Sequence, residues 1–117
     1  MILFIDTTDF NKATFAISDG KKVIKKFYTI DPHKSHETLG LLDKFLKSSN
    51  FILTSPAPRL HSGHPPHELG RKIRKIYVNK GPGSYTGVRV GVTVAQALGL
   101  AWGVPVKAMA KDKFIIR

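Results

Sequence analysis

Ile76-Tyr-Val-Asn-Lys-Gly-Pro-Gly-Ser-Tyr-Thr-Gly-Val-Arg-Val-Gly-Val92 is the stretch whose reading decides the fold. A β-rich run enters a loop holding Gly81, Pro82, Gly83 and Gly87, and the loop opens into a helix of small residues that runs to Trp102. Backbone amides gathered in such a loop, beside a helix N-terminus, favour a nearby anion. The loop lacks the lysine of a Walker A sequence, however, and its glycines do not follow the dinucleotide spacing. An ordinary nucleotide-cleaving site is therefore not the expectation. Ser84 lies between Gly83 and Tyr85 and does not fit a Gly-x-Ser-x-Gly nucleophile elbow. It reads instead as a loop or N-cap hydroxyl for the helix that follows.

That helix is apolar nearly all round. Between Gly87 and Trp102 its clearly polar residues are Arg89, Thr93 and Gln96, at i, i+4 and i+7, a single narrow stripe. Such a helix requires cover on more than one side. Gly87, Gly91, Ala95 and Gly99 recur every four residues and form a shallow groove. Two readings follow: the groove receives a partner helix, or it seats the helix close to its own sheet. Small residues at fourfold spacing also occur in membrane helix pairs. Arg89 inside the run, and a helix stop at Gly103-Val104-Pro105 with a strand over Val104–Ala108, argue against a membrane span.

Working outward, Ile2–Asp6 reads as a buried strand, followed by a turn at Thr7-Thr8-Asp9 and a second strand over Ala13–Ser18. Asp19-Gly20 is a strong hairpin turn. In a third strand over Lys22–Ile30, Val23, Lys25, Phe27 and Thr29 face one way, and Ile24, Lys26, Tyr28 and Ile30 the other. Asp31 as N-cap and Pro32 at the first helical position start a helix that ends near Ser48-Ser49-Asn50. Leu39, Leu42 and Leu46, beside Leu41 and Phe45, form its apolar face. A proline- and histidine-rich loop follows at about 54–70, and Arg74–Asn79 is the fourth strand. The order βββαβαβ predicts an α/β fold, a mixed five-stranded sheet with two main helices on it.

Size and composition fit one domain: 117 residues, 42% of them hydrophobic, exclude wholesale disorder. With no cysteine, disulfides, thiolate metal sites and cysteine nucleophiles are excluded together. The apolar run at the N-terminus ends at Asp6, too short for a signal peptide, so a cytoplasmic location is expected. The net charge of +11 invites a nucleic-acid reading. The cations gather at Lys21, Lys22, Lys25 and Lys26, at Arg71, Lys72, Arg74 and Lys75, and at Lys107, Lys111, Lys113 and Arg117. Aromatic residues are not interleaved with them along the sequence as on a base-stacking platform.

The element order, Asp6-Thr7-Thr8 after the first strand, and Gly81-Pro-Gly-Ser-Tyr-Thr-Gly-Val-Arg-Val-Gly91, with Ala95-Gln96 and Gly99 following, resemble the TsaB (YeaZ) family. The resemblance covers Met1 to about Asn50 and Lys75 to Ala110. It implies an actin/Hsp70-like (ASKHA) domain and a non-catalytic role beside the related TsaD subunit, in the bacterial system that adds threonylcarbamoyl to adenosine 37 of tRNA. It further implies docking, as heterodimer with a TsaD-type subunit or as homodimer, through the first two helices. On this chain those are about Asp31–Ser48 and Thr86–Trp102, which places Leu39, Leu42, Leu46, Val88, Gly91, Val92, Ala95 and Gly99 at the interface. Asp6, Thr7, Thr8, Gly81, Gly83 and Ser84 match phosphate- or nucleotide-facing loops that are degenerate in this family. No cofactor is expected on this chain alone, and ATP or ADP only in a complex. tRNA is expected to be met indirectly or through a basic face. The family's second domain has no counterpart within residues 1–117, which read as a single domain, and the metal histidines of TsaD-type proteins have none either. The segment at about 54–70 is longer and richer in proline than the family's usual connector.

Metal and acid–base candidates are few. His33 and His36 stand at i, i+3 at the start of a helix, and His61, His64 and His67 recur every three residues, but Pro65-Pro66 prevents a shared helical face. A mobile polar loop is the plainer reading, and no metal site is expected. Asp6 is the acid near a strand end on the loop side, without a partner acid. Two rival functions stay open: a small ATP-dependent phosphotransferase of the same superfamily, which needs a second domain and a second acid, and a basic RNA-binding module.

Overall fold

The computed structural model describes residues 1–48 and 73–116. Five strands form one sheet: β1 (Ile2–Asp6), β2 (Lys12–Ser18), β3 (Val23–Thr29), β4 (Lys75–Asn79) and β5 (Val106–Met109). Their spatial order is β3-β2-β1-β4-β5. β1 and β2, and β2 and β3, pair antiparallel, whereas β1 and β4, and β4 and β5, pair parallel, so the sheet is mixed. Asp19-Gly20 closes the β2–β3 hairpin, with the Asp19 amide donating to the Lys22 carbonyl at 3.2 Å.

Register divides the sheet into two faces. Leu3 opposes Ile17 and Ile76, and Ile5 opposes Phe15 and Val78. These six side chains are fully buried and form the core with Leu42, Phe45, Leu46 and Ala95 of the helices. Burying each large apolar side chain contributes about 1.5–3 kcal/mol. The helices thus lie on one face. α1 spans Thr38–Ser48 and buries Thr38, Leu42, Phe45 and Leu46, one stripe at i, i+4, i+7 and i+8.

The helix expected from Asp31 begins later. Pro32–Glu37 is a 3₁₀ segment with a break at Lys34 (φ −123°, ψ 37°), and the α-helix starts at Thr38. Asp31 still acts as a local cap, its carboxylate accepting from the His33 amide at 2.9 Å, but over a tight turn.

α2 spans Tyr85–Trp102. Ser84 is its N-cap, the hydroxyl accepting from the Gly87 amide at 3.2 Å, as its position in the sequence suggested. Gly103 ends it in the left-handed conformation (φ 68°), its amide donating to the Gly99 carbonyl. No helix among the described residues is long and apolar enough to cross a membrane.

The seat of α2 decides between the two readings of its small residues. Gly91, Ala95 and Gly99 are its buried positions. A Cβ on Gly91 would fall 2.1 Å from the Thr7 hydroxyl, and one on Gly99 would fall 2.3 Å from a Val106 methyl. The groove therefore seats the helix on its own sheet. The polar stripe of Arg89, Thr93 and Gln96 points the opposite way, to solvent.

Candidate functional site

Parallel strands β1, β4 and β5 end at one edge of the sheet, the place where α/β folds carry ligands. Asp6-Thr7-Thr8 leaves β1 there, and Lys80–Ser84 joins β4 to α2. The structure brings the Asp6-Thr7-Thr8 turn and the Gly81–Ser84 loop together. It also shows how their polar groups are used. The Asp6 carboxylate accepts from both the Thr8 amide, at 3.0 Å, and the Thr8 hydroxyl, at 2.7 Å. The Ser84 amide donates to the Thr8 carbonyl at 2.7 Å, and the Thr7 hydroxyl donates to the Gly87 carbonyl at 2.5 Å. The Gly81 amide donates to the buried side-chain oxygen of Asn79 at 2.9 Å.

The two loops are zipped to each other. A Cβ on Gly83 would lie 2.6 Å from Thr8, and one on Gly87 would lie 2.2 Å from the Thr7 carbonyl oxygen. Glycine here permits backbone to meet backbone, and the Ser84, Gly87 and Gly81 amides that a phosphate cradle would present already have protein acceptors. The loop is a clasp between β1 and α2.

Beside the clasp lies a cleft of about 210 Å³, with Thr7, Lys12, Ser84 and Thr86 among its polar lining and Phe10, Ala13 and Ile30 its apolar part. Asp9, Asp31 and His33 also line it. Sequence reasoning placed Asp6 alone on this side, so Asp9 and Asp31 are additions made by the fold. Both are committed locally: Asp9 lies 3.4 Å from the Lys12 ammonium, and Asp31 holds the His33 amide. His33 lines this cleft whereas His36 lines a groove between the helices, so the two diverge despite their i, i+3 spacing. Among the described residues no group of three His, Asp or Glu side chains is placed to hold a metal. His61, His64 and His67 lie outside the described residues.

The residues expected at a helical interface are mostly turned inward. Leu42, Leu46 and Ala95 are 1%, 3% and 0% exposed in the core, and Gly91 and Gly99 face the sheet. Val92 packs against that core, and Val88 lies toward Gly81. Leu39, at 53% exposure, is the one of the eight on the outer surface. The apolar pattern of both helices serves their own sheet first. What remains outside is a different set. Leu100 is 87% exposed, and an open groove of about 340 Å³ between the helical segments is lined by His36, Leu39, Arg89, Val90, Thr93 and Val94.

The opposite face of the sheet carries a pattern that the linear sequence hides. Pairing puts Lys25 across from Ala16, Phe27 across from Thr14, Lys75 across from Ile2, and Lys107 across from Tyr77. Lys12 sits over the Phe27 ring at 5.3 Å and Lys75 over Tyr77 at 5.5 Å. Phe4 contacts Tyr77 and, edge-on, Phe114. Basic and aromatic side chains are thus interleaved in space although not along the chain.

The fold is similar to that of YeaZ from Pseudomonas aeruginosa, with a TM-score of 0.64 and 21% identity over 93% of this chain and 44% of that one. In sequence, 67 residues are 39% identical to the tRNA threonylcarbamoyladenosine biosynthesis protein TsaB of Bacillus subtilis strain 168. These likenesses support a TsaB/YeaZ-type assignment for part of such a protein. That sequence match covers 56% of this chain and 28% of the Bacillus protein, so the chain spans less than half the length of either relative. Residues 69–111 also match the family model described as "TsaD: tRNA N6-adenosine threonylcarbamoyltransferase". A fainter likeness, at 12% identity and a TM-score of 0.52, is to T. thermophilus RuvC in complex with a Holliday junction substrate; it covers 96% of this chain and 66% of RuvC and concerns the fold alone. The mixed sheet of the YeaZ and RuvC type, in an actin-like α/β fold, is the one the sequence predicted.

Proposed function

We propose that this chain is a non-catalytic partner subunit in tRNA N6-threonylcarbamoyladenosine synthesis, docking to a TsaD-type protein through the outer surface of its helices. The observation that carries the reading is the clasp: the loops that a nucleotide-using relative would turn toward phosphate spend their donors on each other. The docking surface is redrawn from the sequence expectation. It consists of Leu39, Val90, Thr93, Val94 and Leu100, an apolar patch beside one cation, Arg89. Patches of this kind mark association surfaces. The setting is cytoplasmic, and ATP or ADP belongs to the complex, not to this chain. The test is reconstitution. The chain alone should not modify tRNA, and adding it should raise threonylcarbamoyl transfer by a TsaD-type protein of the same organism. Equal transfer with and without the chain contradicts the proposal.

A second reading concerns tRNA. The interleaved Lys12, Phe27, Lys25, Lys75 and Tyr77 on the sheet face opposite the helices favour contact with a polyanion that carries stacking bases. Lys25→Glu together with Lys75→Glu should weaken tRNA retention in a mobility-shift assay; unchanged retention removes this reading.

A further inference from the structure

We infer that the sheet face opposite the helices takes a single-stranded segment of RNA, with bases against Phe27 and Tyr77 and phosphates on the lysines beside each ring, and does not take a duplex. This rests on the tRNA reading above and adds which part of an RNA the face can hold.

Pairing lines up one row across all five strands: Lys25, Ala16, Phe4, Tyr77 and Lys107, on β3, β2, β1, β4 and β5. Residues paired in this way stand on the same face. The row ends in a lysine on each side. Its middle is closed, because Phe4 is 3% exposed, with Phe114 edge-on against it at 6.0 Å. Two rings remain for a ligand. Phe27, 61% exposed, lies two residues along β3 from Lys25, with the Lys12 ammonium 5.3 Å from its centroid. Tyr77, half-buried, lies directly across from Lys107, with the Lys75 ammonium 5.5 Å from its centroid. Each ring thus stands between two lysines, and three strand spacings, about 14 Å, separate the two rings.

The cations are free to meet phosphate. Among the described residues the ion pairs are Lys12–Asp9 and Lys47–Asp43, so Lys25, Lys75 and Lys107 are not neutralised by a carboxylate. The acids by the platform are engaged: Asp9 pairs with Lys12, and Asp6, in the Phe27–Thr14–Asp6 row, accepts from Thr8. Asp112 is exposed in the turn that leads to Phe114, flanked in sequence by Lys111 and Lys113. The rings then select the state of the RNA. In a duplex the bases stack on one another and present only edges and backbone, so Phe27 and Tyr77 would meet no base face. A single strand offers base faces and phosphates together, which is what a ring between two lysines suits.

The experiment is fluorescence anisotropy of a labelled RNA of about 12 nucleotides, as an unstructured single strand and as the blunt duplex of the same sequence, titrated with the chain and its variants at low and high salt. Melting temperatures are checked for each variant. The single strand should bind tighter than the duplex. Phe27→Leu and Tyr77→Leu should each weaken the single strand by about fivefold or more and leave the duplex unchanged. Lys25→Gln with Lys107→Gln should weaken binding and lower its salt dependence, and should do so more than Lys34→Gln with Lys44→Gln, the same charge change on the helical segments. If both ring variants bind the single strand as the wild type does while the Lys25 and Lys107 pair binds weakly, or if the duplex binds tighter, the face meets only RNA backbone and the inference falls alone. If the two lysine pairs weaken binding equally, or neither RNA binds, the tRNA reading falls with it.

Discussion

Gly91 lies against Thr7 so closely that a Cβ added to it would stand 2.1 Å from the Thr7 hydroxyl oxygen. Thr7 is itself fixed, 4% exposed and bonded to the Gly87 carbonyl. The helix that leads from the glycine loop is therefore seated on the turn after β1, and its glycines set the distance. Gly91→Leu should destabilise the fold by about 1–3 kcal/mol or more in urea unfolding, because neither backbone nor Thr7 can yield without breaking the clasp. Thr93→Leu, on the solvent side of the same helix, should change stability by less than about 0.5 kcal/mol. Equal effects of the two would mean that α2 is turned the other way.

The clasp has a second anchor in Ser84. Its hydroxyl caps α2 through the Gly87 amide, and its own amide holds the Thr8 carbonyl. Ser84→Ala removes the hydroxyl bond and leaves the amide bond, so the loss should be about 1 kcal/mol, the usual worth of an N-cap. Were Ser84 a nucleophile instead, the same substitution would abolish an activity and leave stability nearly unchanged.

Catalysis by the isolated chain is not expected. The Asp6 carboxylate accepts two bonds from Thr8, and Asp9 and Asp31 are engaged by Lys12 and the His33 amide. The carboxylates around the cleft are thus engaged locally. Purified chain should release no phosphate from ATP above a buffer blank. Turnover that disappears in Asp6→Asn would identify an enzyme.

The β2–β3 turn supplies a pH signature. Asp19 accepts from the Lys21 and Lys22 amides at 2.9 and 2.8 Å, and these bonds hold its pKa below the ordinary aspartate value. With the folded-state pKa below the unfolded one, the stabilisation is present above the unfolded pKa and fades as pH falls through the folded one. The carboxyl carbon resonance of Asp19 should titrate below that of a model peptide, and Asp19→Asn should flatten that part of the acid limb of stability. The group is fully exposed, so the effect is small.

The fold was largely legible because alternation and turn chemistry are local. Asp19-Gly20 between two alternating runs fixed the hairpin, and the run of Arg74–Asn79 read as a fourth strand, which the fold then sets beside β1. Helix orientation was not legible. The stripe of Gly91, Ala95 and Gly99 suits a partner helix and a sheet equally well until Thr7 and Val106 are seen beneath it. Leu39, Leu42 and Leu46 belong to one heptad-like pattern, yet Leu39, in the first turn of the helix, lies outside and lines the groove toward α2 while the other two fill the core. The basic and aromatic sheet face was hidden for a related reason. Lys12 and Phe27 are distant in sequence and meet only through the β2–β3 register.

The central claim, that association uses the outer surface of the helices, is tested most directly by one paired affinity measurement. Leu100, 87% exposed on α2, and Phe27, 61% exposed on the far face of the sheet, are each changed to Glu, and binding to the TsaD-type protein is measured at matched melting temperature. The account predicts that Leu100→Glu loses binding by about tenfold or more while Phe27→Glu binds as the wild type does. Binding retained by Leu100→Glu and lost by Phe27→Glu would contradict it and move the partner to the sheet face opposite the helices.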